Sequence, residues 1–161
     1  MKKLLSRLAI ATAVLSAVAC GPHFTISAPQ DFVVLEQSVP YDFRATTPDG
    51  LVLAVREFEN TKEHGDMGFW IKAIENELRL DKGYALLEKT DIKTSSGLSG
   101  TQMRFGLDRE NEAHEYLVTL FVTGKAKGKS RVYVVEAGGN AAQVEQSRKA
   151  IKEAILGFEA R

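Results

Sequence analysis

A single cysteine, Cys20, stands in 161 residues, so no disulfide can form within the chain and its fold must rest on packing. Charge of either sign is not in excess. The 21 basic residues are matched by 21 acidic ones, which excludes the strongly basic surface that phosphate backbones require. Long apolar runs are missing beyond the first 20 residues; the longest candidate, Leu117 to Val122, is short and contains Thr119, and a membrane span needs roughly 20 residues. Proline is scarce, and three of the four lie at Pro22, Pro29 and Pro40. Everything after Pro48 is therefore free to form regular elements.

What is present begins at the same cysteine. Lys2, Lys3 and Arg7 make a basic start, Leu8 to Val18 is apolar but for Thr12 and Ser16, and small residues close the segment. These are the parts of a bacterial secretory signal. Leu15-Ser16-Ala17-Val18-Ala19-Cys20-Gly21 resembles the lipobox of bacterial lipoproteins. The resemblance implies cleavage between Ala19 and Cys20 and a diacylglyceryl thioether on Cys20, which would make the membrane a partner through that lipid. The chain departs from the lipobox in carrying Ala17 where Leu is usual. Ala17-Val18-Ala19 also suits the ordinary signal peptidase, which would cut the same bond and leave the protein secreted without lipid. An uncleaved anchor is the third reading, against which stands the shortness of the apolar run. Gly21 occupies the place where Asp marks inner-membrane retention, so the resemblance implies the outer membrane, facing the periplasm. Cleavage removes three basic residues and no acidic one, leaving 18 basic residues against 21 acidic and a net charge of about −3. Nucleic acid is not an expected partner.

The cleaved chain has the length of one domain. Residues 20–40 hold two short apolar pieces among the prolines and read as a lipidated N-terminus that is either tether or edge strands. Residues 41–161 read as a single globular unit. Tyr41, Phe43 and Ala45 alternate with polar residues, Thr47-Pro48-Asp49-Gly50 is a turn, and Leu51 to Val55 is apolar on both faces, as in a covered central strand. Over 66–80, Trp70, Ile71, Ile74 and Leu78 recur at helical spacing behind an Asp66 cap. Strands are expected over Tyr84–Thr94, Thr101–Arg109, Glu112–Thr123 and Arg131–Ala137, with short polar turns that make neighbours antiparallel. Gly138-Gly139 is expected to break the last strand. Asn140 and Gln143 then form a capping box for a helix over 140–157, whose Val144, Ile151, Ile155 and Phe158 share one face. The fold class is α+β: an antiparallel sheet of five to seven strands flanked by two helices.

This order of elements from Tyr41 to Phe158, with Gly83-Tyr84, Phe105 and Gly138-Gly139-Asn140, resembles the PsbP family. The resemblance implies an α/β/α sandwich and a binding or assembly role without active-site chemistry.

Motifs for chemistry are wanting. In Ser95-Ser96-Gly97-Leu98-Ser99-Gly100 the spacing of a nucleophile elbow fails, and the stretch reads as a connection. His23, His64 and His114 are scattered; Glu112, His114 and Tyr116 share a strand face but match no zinc pattern. No catalytic residue, metal or cofactor is therefore expected. Lys125, Lys127, Lys129 and Arg131 form a basic hairpin tip that either keeps the loop soluble or meets anionic headgroups. Two functions follow. One is a non-enzymatic envelope lipoprotein that binds a protein partner or assists assembly. The other is a small-ligand carrier or enzyme using a cleft between the sheet and the Trp70 helix, with Glu57, Glu88 or Glu136 as buried carboxylates.

Overall fold

The computed structural model describes residues 21–36, 39–61, 65–124 and 129–161. The signal segment, Ala19, Cys20, His64, Lys125 and Lys127 lie outside the described residues.

The described residues run through nine strands and two helices: β1 (Phe24–Thr25), β2 (Val33–Val34), β3 (Phe43–Thr46), β4 (Val52–Glu59), α1 (Met67–Asn76), β5 (Ala85–Lys93), β6 (Ser99–Arg109), β7 (Glu112–Val122), β8 (Arg131–Asn140), α2 (Ala141–Leu156) and β9 (Glu159–Ala160). β1 pairs with β9 in a small antiparallel sheet, and the other seven form one antiparallel sheet in the order β2-β3-β4-β8-β7-β6-β5. The α+β class and the two flanking helices are as the sequence indicates. What the sequence does not indicate is the pairing of β4 with β8, which joins two meanders across the middle of the sheet. Helix α1 carries the chain from β4, near the centre, to β5 at the far edge.

Local chemistry explains the boundaries. Thr47 N donates to Leu51 O over 2.9 Å, and Gly50 closes that turn at φ +93°, where a side chain would be strained. The Asp66 side chain accepts from Phe69 N at 3.1 Å and starts α1. The expected helix over 66–80 is there, but its last turn widens into a π-helical turn, Glu77–Asp81, with Lys82 N reaching Glu77 O at 3.1 Å. At α2 the capping box is complete: Asn140 Oδ1 accepts from Ala142 N, and Gln143 Oε1 accepts from Asn140 N.

One expectation is overturned. Gly138-Gly139 does not break β8, which continues to Asn140 with Gly138 opposite both Val52 and Tyr116. Strands on both sides fix the backbone there, and ladder hydrogen bonds outweigh the weak strand propensity of glycine.

Strand alternation builds two cores. On one face Leu117, Phe121, Tyr133, Val135 and Ala137 pack under Val144, Ile151 and Ile155 of α2. Phe158 closes that core, fully buried and stacked between Phe121 and Phe24. On the other face Met103, Phe105, Val118, Leu120, Val132 and Val134 meet Leu78 and the half-buried Trp70, Ile71 and Ile74. Here the cover is incomplete. Ten helical residues reach only ~15 Å, whereas the 11 residues of β7 extend ~37 Å. Lying obliquely from β4 to β5, α1 leaves one corner of its face open.

Candidate functional site

The open corner is a cavity of about 240 Å³ lined by Tyr41, Arg44, Val52, Ala54, Tyr84, His114, Tyr116, Glu136 and Gly138. Four strands supply its floor. Across the sheet, Arg44 on β3 stands opposite Ala54 on β4, Ala54 opposite Glu136 on β8, and Glu136 opposite Val118 on β7. Arg56 lies two residues along β4 from Ala54, on the same face. The row thus puts two guanidinium groups and one carboxylate on a surface that elsewhere is apolar.

Glu136 is 4% exposed. Its Oε1 accepts a hydrogen bond from Arg56 Nη2, and the two form an ion pair between adjacent strands. The Tyr116 phenol also hydrogen-bonds Glu136, but other polar atoms are not matched. Glu136 Oε2, Arg56 Nε and Arg44 Nε are buried without a hydrogen-bond partner of regular geometry. Arg44 makes a ring contact, its guanidinium carbon 5.8 Å from the centroid of Tyr41. Buried donors and acceptors left in this state are uncommon and costly, so their grouping marks the corner. Burial and the negative charge of Glu136 hold the Tyr116 phenol well above its ordinary range. Burial works against the Arg56 guanidinium, but Glu136 outweighs it and leaves Arg56 above its usual value.

A second groove, of about 400 Å³, runs between α2 and β5–β6 and is lined by Glu88, Arg104 and Arg148 among others. Several of its charges are paired. Arg148 pairs with Glu115 at 3.0 Å and with Glu145 at 2.6 Å, and Arg104 pairs with Glu88 at 3.2 Å.

The expected residues are distributed as follows. Glu136 enters the cavity. Glu57 is buried but belongs elsewhere: it binds His23 through the backbone N and through Nδ1, each at 2.8 Å, and pairs with Arg131. Glu88, expected among buried carboxylates, has a side chain 53% exposed, because β5 is the outermost strand. Trp70 does not line the Glu136 cavity; its ring stacks on Phe58 at 5.6 Å and its indole N donates to Asn60 Oδ1. The opening therefore lies beside α1, not beneath its tryptophan. Of the Ser95–Gly100 stretch, Ser95 to Leu98 lie in the β5–β6 connection, with Gly97 at φ +89°, and Ser99 and Gly100 already pair in β6. Of the basic tip, Arg131 is already in β8, and Lys129 pairs with Glu59 at 2.9 Å. Among the described residues no group of three His, Cys, Asp or Glu is placed to hold a metal ion, and no helix is long and apolar enough to cross a membrane. Sequence reasoning missed Arg44 and Arg56. Their signal was an arginine on each arm of the hairpin, at positions facing the same side.

No family model matches the chain, and no curated protein matches it in sequence. Its fold, however, is found in solved structures. LpqN of Mycobacterium tuberculosis, a protein involved in cell envelope biogenesis, superposes with a TM-score of 0.70 at 13% identity, over 84% of this chain and 81% of LpqN. The cyanobacterial PsbP (CyanoP) of Synechocystis sp. PCC 6803 gives 0.57 at 11% identity, over 86% of this chain and 87% of its own. Protein PA94 of Pseudomonas aeruginosa, of unknown function, gives 0.53 at 14% identity, over 86% and 98%. At such identities the likeness is one of fold: the chain is an α/β/α sandwich of the kind seen in PsbP.

Proposed function

We propose that this chain is a lipid-anchored protein of the bacterial cell envelope, held through Cys20 at the outer membrane and facing the periplasm, where it acts as a non-enzymatic binding or assembly factor. Involvement of the similarly folded LpqN in cell envelope biogenesis supports the setting. The observation that carries the reading is the corner at Glu136: a cavity whose buried polar atoms lack partners is suited to bind. Small-ligand carriage is the form of binding that this geometry favours, with the cleft moved from Trp70 to Glu136.

His23 adds a consequence for the anchor. It stands three residues after Cys20 and is tied to Glu57, to Arg131 and, through its carbonyl, to Tyr133 Oη at 3.1 Å and Arg161 N at 2.7 Å. A lipid on Cys20 would thus be joined to the folded domain through Gly21 and Pro22. Glu136 is five residues along β8 from Arg131, ~17 Å from that end of the strand.

The anchor is tested by Cys20→Ser. Two or three acyl chains hold a protein on a membrane where one is marginal. The wild type should incorporate labelled palmitate and sediment with outer membranes, and the variant should do neither while melting at the same temperature. A wild type that takes no label and fractionates as soluble would mean ordinary cleavage after Ala19.

A further inference from the structure

We infer that the ligand of the Glu136 corner is a small hydroxy acid, its carboxylate paired with Arg44 and a hydroxyl donating to Glu136 Oε2. The inference rests on the binding role proposed above and names the chemistry of that site. Charge is the first argument. Arg44 and Arg56 bring two positive charges and Glu136 one negative; Glu115, also in the lining, is taken up by Arg148 and Arg104, and Arg56 and Glu136 cancel each other as an ion pair. Arg44 has no carboxylate partner among the described residues, so one positive charge is left over. A monoanion neutralises it, and a guanidinium presents Nε–H beside an Nη–H in the fork that a carboxylate matches.

Hydrogen bonding is the second. The Glu136 carboxylate only accepts; Arg56 and the Tyr116 phenol take part of that capacity, and a carboxylate alone would face the remaining lone pairs with another acceptor. A ligand that satisfies both ends must carry a donor a few atoms from its anionic group. Aliphatic hydroxyls supply that donor without adding charge. Shape is the third. The walls are the rings of Tyr41, Tyr84 and Tyr116, which suit the C–H faces of a carbon chain, and Val52, Ala54 and Gly138 contribute an apolar floor. About 240 Å³ is room for about eight waters at ~30 Å³ each, enough for a chain of some six carbons.

The test uses one carbon frame with its groups removed in turn. Full-length lipidated protein in detergent micelles is titrated with gluconate, hexanoate and glucitol, and backbone amide shifts are followed by NMR. Gluconate should shift the amides of Arg44, Tyr116, Glu136 and Gly138, with an apparent Kd at least about tenfold lower than either hexanoate or glucitol, the size of one charge-assisted hydrogen bond. Arg44→Met should abolish the gluconate shifts. Glu136→Gln should weaken gluconate without weakening hexanoate, a difference that a merely unfolded site would not show. Glucitol binding as well as gluconate would overturn the need for the anion, and hexanoate binding as well would overturn the hydroxyl. Either result would leave the corner standing as a binding site. If all three compounds leave those amides unmoved while a crosslinked envelope partner also maps elsewhere, the binding role of the corner fails with the inference.

Discussion

Gly138 lies directly opposite Tyr116 on neighbouring strands, and a Cβ at Gly138 would come within 2.5 Å of the Tyr116 ring. The ring occupies the space that a side chain would fill. Glycine is thereby covered by an aromatic in the middle of a sheet, and the phenol is brought beside Glu136. Gly138→Ala should therefore displace the ring and cost about 1–3 kcal/mol through overpacking. A thermal melt reads the cost. Loss of the ordered Tyr116 ring resonances reads the displacement, and an unchanged spectrum would show that the two strands can part freely.

The Arg56–Glu136 pair makes a separate prediction. Arg56→Met would leave the carboxylate buried and uncompensated. Arg56 is 38% exposed, which screens the pair, so the loss should be about 2–3 kcal/mol, not the full value of a wholly buried one. Adding Glu136→Gln should recover most of it, and a urea-melt double-mutant cycle measures the coupling. Additive losses would mean that the two side chains do not act as a pair.

Tyr116 also predicts an alkaline limb. Its native pKa is raised by burial and by Glu136, so the folded state keeps its proton where the unfolded state gives it up. Stability from this group is fully present below the unfolded value near pH 10 and falls as pH rises beyond it. Stability curves above pH 10 should be shallower in Tyr116→Phe than in the wild type. Tyrosinate absorbance should show a tyrosine that ionises only as the wild type unfolds and that is missing from Tyr116→Phe, which separates it from Tyr133, also raised by burial and by Glu57. Parallel curves would show that this phenol reaches water.

Helix α2 is tested at Ile151, which is 1% exposed against the core beneath it. Ile151→Asp should cost several kcal/mol, since it buries a charge with no partner. Leu87→Asp, at a side chain 51% exposed on the edge strand β5, should change stability by no more than about 0.5 kcal/mol. Equal melting temperatures for the two variants would show that α2 does not cover the sheet.

The features that were legible in the chain are those whose cause is local. Asn140 and Gln143 satisfy amides within one turn, Asp66 does the same for Phe69, and Thr47-Pro48-Asp49-Gly50 reverses the chain in four residues. The alternation of Leu117 to Val122 follows from the pleat alone, so class, helices and hairpins could be read. Tertiary structure decided what depends on pairing between distant segments. That β4 joins β8, and that β1 is held by β9 at the other end of the chain, is settled by which apolar faces fit together and not by any residue's own preference. For the same reason Gly138-Gly139 reads as a stop in isolation and is a strand between two partners. The site follows suit. Arg44, Arg56, Tyr116 and Glu136 are spread over 93 positions of the sequence, and they meet only because the sheet lines them up in a corner that α1 is too short to cover.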